Sequence, residues 1–404
     1  MMKDSYPKSI VDVDIKNKRV IVRVDFDVAV NPDHSIADDE RIVQNIPTLK
    51  KLLLKKNKLI LIAKLGRPKG RDPKLSLRVV VDKLPRYLPG YSFKLVRDFL
   101  TEDKKTFSEQ RLSEILVLEN IRFYPQEKSM EPDYIKALCD LGDVYVNDAF
   151  GMAHRAEATT VGIPKYLPGV SGLALKKEVE IISQSIENPK LPLVTIIGGA
   201  KISSKIHLLE KLIVKSDYIL LGGALANTFL KAQGYEIGDS LYEYEEIEVA
   251  RKLLFLADKH PVQLMLPVDA AIADQDSKDE SYDIVPLPLM KRGYAIYDIG
   301  PRTADMYSEI IQQAGTVVWN GPMGLFENPE FKTGTTAIYQ ALTHNEKAFT
   351  LVGGGDTLAA LSHKKHLDRI DHVSTGGGAM LELIEKGTLP AIEALRASQR
   401  KFRL

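Results

Sequence analysis

Cysteine is almost absent from this sequence. Its 404 residues include only one, Cys139. A single cysteine can form neither a disulfide within the chain nor a cysteine-based metal site, which is typical of a protein from a reducing compartment. The helix-like surroundings of Cys139, YIKALCDL, predict that it is a small buried apolar residue.

Long hydrophobic runs and an excess of one charge are also missing. No run approaches the roughly 18 apolar residues of a membrane span, and the first residues lack the apolar core of a signal peptide. We therefore expect a cytoplasmic protein with no membrane association. The net charge of +1 argues against general nucleic-acid binding, which needs a basic face. The length exceeds what one hydrophobic core usually supports, so two domains are expected.

What the sequence does contain is a series of short apolar runs rich in β-branched residues. They are continuous rather than alternating, which is typical of strands buried on both faces of a parallel sheet. Segments with helical periodicity lie between them, such as 41–56 and 204–215. This alternation predicts an α/β fold with parallel sheets covered by helices. The runs span 19–26, 58–65, 114–120, 143–150, 193–200, 218–226, 263–273, 294–300, 316–321, 348–355 and 372–379.

The two halves differ in the residues that come after each predicted strand. In the first half the strands run into charged segments: VDFD, KLGRPKG, ENIRF and NDAFGMAHR. In the second half they run into glycine: IIGGAK, LLGG, DIGP, WNGP, VGGGDT and STGGGA. Because ligands of open parallel sheets bind at the carboxyl ends of the strands, the first half is predicted to bind a small, multiply charged anion. The second half suits a nucleotide, since glycine lets backbone N–H groups approach phosphates.

The change of character falls at 165–190, where we predict a domain boundary carried by a helix that starts near Leu173. The polar stretch 274–290, DQDSKDESYDIVPLPLM, is interpreted as a surface excursion. Neither G-x-x-x-x-G-K-[ST] nor G-x-G-x-x-G occurs, so the P-loop and the dinucleotide fingerprint are excluded.

Taken together, the segments resemble the phosphoglycerate kinase family. They include RVDFDVAV, DDERI, LGRPKG, LENIRFYP, VNDAFGMAHRA, GGAKISSKI, VVWNGPMGLFE, VGGGDT and HVSTGGGAMLELI, in the family's order. The resemblance implies two Rossmann-like domains with parallel sheets facing each other across a cleft. Domain 1–170, with the tail 391–404 packed back on it, would bind 3-phosphoglycerate or 1,3-bisphosphoglycerate. Domain 171–390 would bind ADP or ATP with Mg²⁺. The implied reaction is reversible phosphoryl transfer from the acyl phosphate to ADP, by a monomer.

The resemblance also assigns residues in the first domain. Arginine suits an acceptor with a carboxylate and a phosphate, because its planar fork binds both bidentately. Arg41 resembles the family arginine that stabilises charge on the phosphoryl group during transfer. The implied substrate-binding set is Asp25, Asp27, Arg41, Lys64, Arg67, Arg122 and Arg155.

In the second domain, Lys201 resembles the lysine that follows the transferring phosphate. The amides of Gly376, Gly377 and Gly378 precede a helix and would hold the same group, with Gly377 and Gly378 in the catalytic set. Asp356 is the implied magnesium ligand. The implied nucleotide-binding set is Gly199, Lys201, Lys205, Gly223, Gly300, Asn320, Glu327, Gly355, Asp356 and Thr357.

The sequence departs from the family pattern at several of these motifs. Asp27 replaces an asparagine and Lys64 a histidine, so a neutral pair has become a pair of opposite charges. We expect the two side chains to form an ion pair, because a lone half-buried carboxylate would repel the substrate. Glu157 replaces a histidine without an evident partner, which predicts weaker phosphoglycerate binding. The remaining departures are Ala29 for proline and Ser204 for aspartate.

Two other readings stay open from the sequence. One is a diverged relative that binds nucleotide without turnover. The other is a kinase that acts on a different small carboxylate, since Asp27, Lys64 and Glu157 all lie near the predicted acceptor pocket.

Overall fold

The structure, a computed structural model, describes residues 6–274, 282–361 and 367–404. The chain divides into two compact units, Met1–Glu180 with Thr388–Leu404 and Ile181–Gly387. The division falls inside the segment 165–190, where the sequence changes character. No helix within the described ranges is long and apolar enough to span a membrane.

The first unit is built on a six-stranded sheet in which every pairing is parallel. The strands are β1 (Arg19–Arg23), β2 (Lys58–Ile62), β3 (Ser92–Val96), β4 (Glu114–Leu118), β5 (Val144–Asn147) and β6 (Gly169–Ser171), in the spatial order β3-β4-β2-β1-β5-β6. The helices are α1 (Glu40–Leu54), α2 (Arg78–Val81), α3 (Leu84–Tyr87), α4 (Lys104–Ser108), α5 (Gln126–Ser129), α6 (Pro132–Cys139) and the first part of α7 (Leu173–Glu187), which continues into the second unit.

The local predictions in this unit are confirmed where periodicity was strong. Helix α1 buries Ile42, Ile46, Leu49 and Leu53 against the sheet. Helix α7 begins at Leu173. Cys139 is buried at the end of α6, and burial raises the pKa of its thiol to about 12. A buried thiol with a raised pKa is chemically inert.

The second unit contains a second parallel six-stranded sheet, ordered β15-β14-β13-β7-β8-β9, and a three-stranded antiparallel sheet, ordered β11-β10-β12. The strands are β7 (Leu193–Ile197), β8 (Tyr218–Leu221), β9 (Gln263–Met265), β10 (Asp269–Asp274), β11 (Asp283–Pro286), β12 (Tyr294–Ile299), β13 (Thr316–Asn320), β14 (Phe349–Gly353) and β15 (His372–Ser374). The helices are α8 (Ile206–Lys215), α9 (Gly223–Ala232), α10 (Ile247–Asp258), α11 (Pro301–Gln313), α12 (Thr333–His344), α13 (Gly355–Leu361) and α14 (Gly377–Lys386).

The antiparallel sheet corrects two sequence predictions. The run 263–273 is not one strand: β9 belongs to the parallel sheet and β10 to the antiparallel one. Pro267, which cannot donate to a ladder, lies at the break between them. The stretch 274–290 is more than a surface excursion, because β11 lies within it and pairs with β10. Residues 275–281 of that stretch lie outside the described residues.

The chain ends in α15 (Pro390–Phe402), which packs on the first unit. The buried Ser398 hydroxyl accepts a hydrogen bond from Gly169 N at 2.9 Å and donates one to Leu167 O at 2.9 Å. The side chain of Gln399 accepts a hydrogen bond from Lys8 N at 2.9 Å. The last helix therefore satisfies backbone groups beside β6.

Asp148 follows β5 and caps the first turn of α7. Its Oδ1 accepts hydrogen bonds from Ala174 N at 2.8 Å and Leu175 N at 3.2 Å. Burial raises the pKa of Asp148 to about 7, although the Thr48 hydroxyl and these two N–H groups act in the opposite direction. Since the carboxyl group has a pKa of about 4 in the unfolded chain, ionising it in the folded protein costs stability as pH rises from about 4 to 7.

We therefore expect Asp148→Asn to raise the free energy of unfolding by about 1–2 kcal/mol at pH 8 and to change it little at pH 5. Urea unfolding at the two pH values measures this effect. Asp140→Asn, which removes an exposed carboxylate from the same unit, is the matched control. An equal change at both pH values would contradict the assignment.

Candidate active site

The charged segments of the first unit meet at one edge of its sheet. Strands β4, β2, β1 and β5 are neighbours and parallel, so the loops that follow them leave the same edge. Those loops carry six of the predicted substrate residues, and the seventh, Arg41, lies in the first turn of α1.

Arg41 is held by carboxylates of its own chain. Its Nη1 atom lies 3.4 Å from both carboxylate oxygens of Asp25 and 3.8 Å from Oδ2 of Asp27. The Asp25 side chain is buried, whereas 32% of the Arg41 side chain is exposed. The arginine is thus oriented by two carboxylates and remains partly exposed.

The predicted ion pair between Asp27 and Lys64 is confirmed. The Lys64 ammonium contacts Asp27 Oδ2 directly, and its side chain is only 11% exposed. Asp27 Oδ1 also accepts a hydrogen bond from Gly66 N at 2.7 Å. Burial opposes ionisation of Asp27, but Lys64, the Gly66 N–H and Arg41 outweigh it and lower the pKa of Asp27. Burial lowers the pKa of Lys64, although Asp27 acts in the opposite direction. The pair fixes the start of the KLGRPKG loop.

Asn120 fixes the same loop from the other side and was missed by sequence reasoning. This fully buried side chain accepts hydrogen bonds from Leu65 N at 3.2 Å and Arg122 N at 3.0 Å. It donates to Leu65 O at 2.7 Å and Leu75 O at 2.8 Å. One amide therefore joins the loop after β2 to the loop after β4. The only available signal was its place in the ENIRF motif, from which only Arg122 was predicted to be functional.

The other three predicted arginines have different environments. Arg67 and Arg155 are exposed, and neither forms an ion pair within residues 6–274, 282–361 and 367–404. Arg122 is nearly buried, and its Nη1 lies 2.9 Å from Oε1 of Glu157. Glu157 thus has a partner that the sequence did not reveal.

In the second unit, glycine allows three strand-end loops to pack against one another through their backbones. Gly199 N donates to Pro322 O at 3.1 Å, Gly223 N donates to Met323 O at 2.8 Å, and Leu225 N donates to Gly199 O at 2.9 Å. Gly223 has φ +66°, and a Cβ atom there would lie 2.7 Å from Gly199 N and O. The loops after β7, β8 and β13 thereby form one layer.

A cavity of about 260 Å³ opens beside this layer. Four predicted nucleotide residues line it: Gly199, Gly223, Glu327 and Asp356. Its other walls are largely apolar and were missed, because they come from α9, the antiparallel sheet and neighbouring loops; they include Leu230, Leu241, Pro267, Ile296 and Tyr297. Gly300 lies one residue beyond the lining residue Ile299 and faces the Asp269 carboxylate at the start of α11.

The predicted phosphate end of the site is built around the loops after β13, β14 and β15. The buried Thr357 hydroxyl accepts a hydrogen bond from Gly321 N at 2.7 Å and donates to Gly353 O at 3.0 Å. Asn320 Nδ2 donates to Gly353 O at 2.8 Å. A Cβ atom on Gly377 would lie 2.6 Å from Gly354 Cα. Asn320 and Thr357 therefore hold these loops together, while Gly355, Asp356 and Gly378 are exposed at the starts of α13 and α14.

The two predicted lysines differ in exposure. Lys201 is exposed. Lys205, at the start of α8, donates to Gly198 O, and burial lowers its pKa to about 8, although Asp356 acts in the opposite direction. Ser204, one of the departures from the family pattern, donates to Lys201 O at 3.2 Å. The segment between the lysines is thus held locally.

Comparison with known proteins covers nearly the whole chain. The family profile described as phosphoglycerate kinase matches residues 10–387. The chain belongs to the phosphoglycerate kinase family. The phosphoglycerate kinase of Chloroflexus aggregans is 45% identical, over 97% of this chain and 99% of that protein. The one from Thermus thermophilus is 42% identical, over 96% and 99%.

Solved structures of phosphoglycerate kinases are also similar to this chain. The structure of phosphoglycerate kinase from Coxiella burnetii has a TM-score of 0.87 and 39% identity, over 97% of this chain and 99% of that one. The enzyme from Pyrococcus horikoshii has a TM-score of 0.82 and 29% identity, over 98% and 100%. The expected fold is thereby confirmed, and the chain is an enzyme of the phosphotransferase class.

Phosphoglycerate kinases act on nucleotides, which generally carry Mg²⁺, and the residues of the second unit fit that cation. In proteins Mg²⁺ is usually bound by one or two carboxylates, with the remaining positions filled by substrate phosphates and water. Asp356 offers an exposed carboxylate at the cavity. Within the described ranges no three His, Cys, Asp or Glu side chains lie close enough to form a cage of their own, so most ligands would come from the nucleotide.

The Asp27–Lys64 pair, which departs from the phosphoglycerate kinase pattern, should be strongly coupled. Either single change, Asp27→Asn or Lys64→His, leaves a largely buried charge without its partner, and we expect a loss of about 2 kcal/mol in the free energy of unfolding at pH 8. The double variant should lose less than about 1 kcal/mol. Urea unfolding of the four proteins measures the coupling. The exposed pair Asp14–Lys55 is the control, where Asp14→Asn should leave the free energy of unfolding nearly unchanged. Additive losses at Asp27 and Lys64 would contradict the coupling.

Proposed function

We propose that this enzyme transfers a phosphoryl group reversibly from 1,3-bisphosphoglycerate to ADP, giving 3-phosphoglycerate and ATP. The observation that supports the proposal is that the four family arginines follow the neighbouring parallel strands β1, β2, β4 and β5 of the first sheet, in a chain whose second unit has a cavity beside a layer of glycine loops. A cationic acceptor site and a separate nucleotide site are the two parts that this reaction needs.

In the first unit, the exposed Arg67 and Arg155 bind the phosphate and carboxylate of the acceptor as bidentate partners. Arg41, oriented by Asp25, stabilises the charge that develops on the transferring group. Asp27, Lys64 and Asn120 hold the KLGRPKG loop that presents Arg67. Arg41 and the loop that presents Arg67 are thus held in place before the acceptor arrives.

In the second unit, the apolar cavity accepts the nucleoside, with Glu327 at the ribose hydroxyls. Lys201, Lys205 and the amides of Gly376–Gly378 bind the phosphates at helix N-termini. Mg²⁺ held by Asp356 and the nucleotide would neutralise phosphate charge when bound. Asn320 and Thr357 keep the strand-end loops in place.

Because the two ligands bind to different units, direct in-line transfer requires the units to close until the reacting atoms are about 3–3.5 Å apart. We expect the hinge to involve 165–190 and the neighbouring loops. Compaction in small-angle scattering, seen only with both ligands, is the expected result. We further expect a monomer that works in the cytoplasm.

The second candidate function is a kinase that acts on another small carboxylate acceptor. The observation in its favour is that Glu157 lies on Arg122, one of the four acceptor arginines.

Initial rates with MgATP and 3-phosphoglycerate, coupled to consumption of the acyl phosphate, test the proposal. Turnover that requires Mg²⁺ and exceeds that with unphosphorylated glycerate by several orders of magnitude is expected. Nucleotide binding without turnover on 3-phosphoglycerate would overturn the proposal and favour the second candidate.

A further inference from the structure

Arg122 and Glu157 form a nearly buried ion pair in the first unit. Their side chains are 9% and 8% exposed, and Nη1 of Arg122 lies 2.9 Å from Oε1 of Glu157. Nη1 of Arg122 has no hydrogen-bond partner among the described residues, so its N–H groups do not point at Oε1 of Glu157. The second carboxylate oxygen, Oε2 of Glu157, also has no partner there. The contact is therefore mainly one of charge on charge, and it leaves unsatisfied polar atoms on both sides.

The backbone holds the Glu157 carboxylate in this position. Glu157 N donates to the Thr160 hydroxyl at 3.0 Å, and Glu157 O accepts from Val161 N at 2.9 Å. Glu157 directly precedes a buried π-helical turn, Ala158–Gly162. Such turns are rare and are often found at functional sites. In this capping box the Glu157 carboxylate also accepts a hydrogen bond from Thr160 N, so it is fixed beside Arg122 rather than free to turn into solvent.

Beyond the backbone N–H of Thr160, which donates to the Glu157 carboxylate, the surroundings offer Glu157 little other compensation. The neighbouring Glu127 is fully buried, and burial raises its pKa to about 7, an effect to which Glu157 contributes. The Glu127 carboxylate accepts a hydrogen bond from the Thr159 hydroxyl at 2.6 Å. Arg155, two residues before Glu157, is exposed. Arg122 is thus the one cation paired with Glu157 among the described residues.

We propose that Glu157 is a specificity-determining residue that neutralises Arg122 and so lowers the affinity of the acceptor site for phosphorylated anions. The inference rests on the proposed function. An anion that approaches Arg122 meets an ion pair rather than a bare cation, and the attraction between opposite charges falls accordingly. The free energy of acceptor binding then comes mainly from Arg67 and Arg155. Arg122 acts chiefly as a positioning residue.

The direct test is Glu157→Gln, which keeps the shape of the side chain and removes its charge. We expect KM for 3-phosphoglycerate to fall about three- to tenfold, with kcat within about twofold and KM for ATP unchanged. Sulfate, titrated calorimetrically as a simple divalent anion, should bind more tightly by the same factor. Replacing a side chain that has a purely structural role would not increase the affinity for both anions. If KM for 3-phosphoglycerate and Kd for sulfate were both unchanged or higher in Glu157→Gln, the proposal would be overturned.

A second variant keeps the proposal testable if Glu157→Gln fails to fold. If the pair is electrically neutral toward the acceptor, the double variant Arg122→Met/Glu157→Gln, which removes both charges, should change KM for 3-phosphoglycerate by less than about threefold, whereas Arg67→Met should raise it more than about thirtyfold. Equal effects of the two changes would overturn the proposal. Glu109→Gln, an exposed change in the same unit, is the control.

The two proposals fail in different ways. No turnover by the unaltered enzyme ends the proposed function, while sulfate titration still reports on Glu157. Normal turnover with affinities that Glu157→Gln does not increase ends only the inference about Glu157.

Discussion

Replacing Arg41 with alanine is expected to lower kcat by at least about a thousandfold, the range found when an arginine that stabilises a transferring phosphoryl group is lost. In the structure its guanidinium is fixed by Asp25 at 3.4 Å and remains partly exposed. KM for ATP should change little, because the predicted nucleotide site lies in the other unit. Steady-state rates with MgATP and 3-phosphoglycerate measure the loss.

Two further variants separate charge from geometry. Arg41→Lys retains the charge but not the planar fork, so we expect its kcat to be about tenfold higher than that of Arg41→Ala and still well below that of the unaltered enzyme. Arg111→Ala removes an exposed arginine just before β4, at the opposite end of the strands, and should leave kcat unchanged. If Arg41→Ala retained more than about a tenth of the rate, Arg41 would not have the role assigned to it.

The second large effect is expected at Gly223. In Gly223→Ala the new Cβ atom would meet Gly199 N and O at 2.7 Å, and these backbone atoms cannot rotate away as a side chain would. The layer of loops that forms the cavity wall must then shift. We expect KM for ATP to rise by about a hundredfold, because displacements of about 1 Å at a binding site have effects of this size. Nucleotide titration and steady-state kinetics measure it.

The same helix provides the control. Gly234, just after the end of α9, also has positive φ, +89°, but a Cβ atom there would meet nothing within 4 Å. Gly234→Ala therefore shares the backbone strain of about 1–2 kcal/mol without the clash. Both variants should lose stability, and only Gly223→Ala should lose nucleotide affinity. Equal nucleotide affinities in the two variants would show that the loop layer does not shape the cavity.

The sequence predicted the parts of the fold that are buried on both faces. Central strands such as β1, β2 and β7 are continuous apolar runs, and their positions were correct. Strand β3 was missed because it is an edge strand with partly exposed, mixed residues, SFKLV. The short strands β6 and β11 were missed because three or four residues are too few to show a hydrophobic pattern. Pro267 was the available sign that 263–273 holds two strands.

The site was predictable where chemistry follows directly from strand ends. Asp27 and Lys64 were paired correctly because adjacent parallel strands bring their ends together. The Arg122–Glu157 pair was not, since the preceding strands β4 and β5 are not adjacent in the sheet and Glu157 lies well beyond the end of β5. Asn120 was missed for a similar reason: its four hydrogen bonds go to backbone groups, and backbone partners leave no trace in a sequence.

The return of α15 to the first unit has a consequence for synthesis on the ribosome. The second unit, Ile181–Gly387, is complete in sequence before residues 388–404 are made. Until then Gly169 N and Leu167 O lack the Ser398 hydroxyl. Although domains usually fold in the order of synthesis, the amino-terminal unit can finish folding only after Ser398 has left the ribosomal exit tunnel. The later-made unit can then be the first to mature.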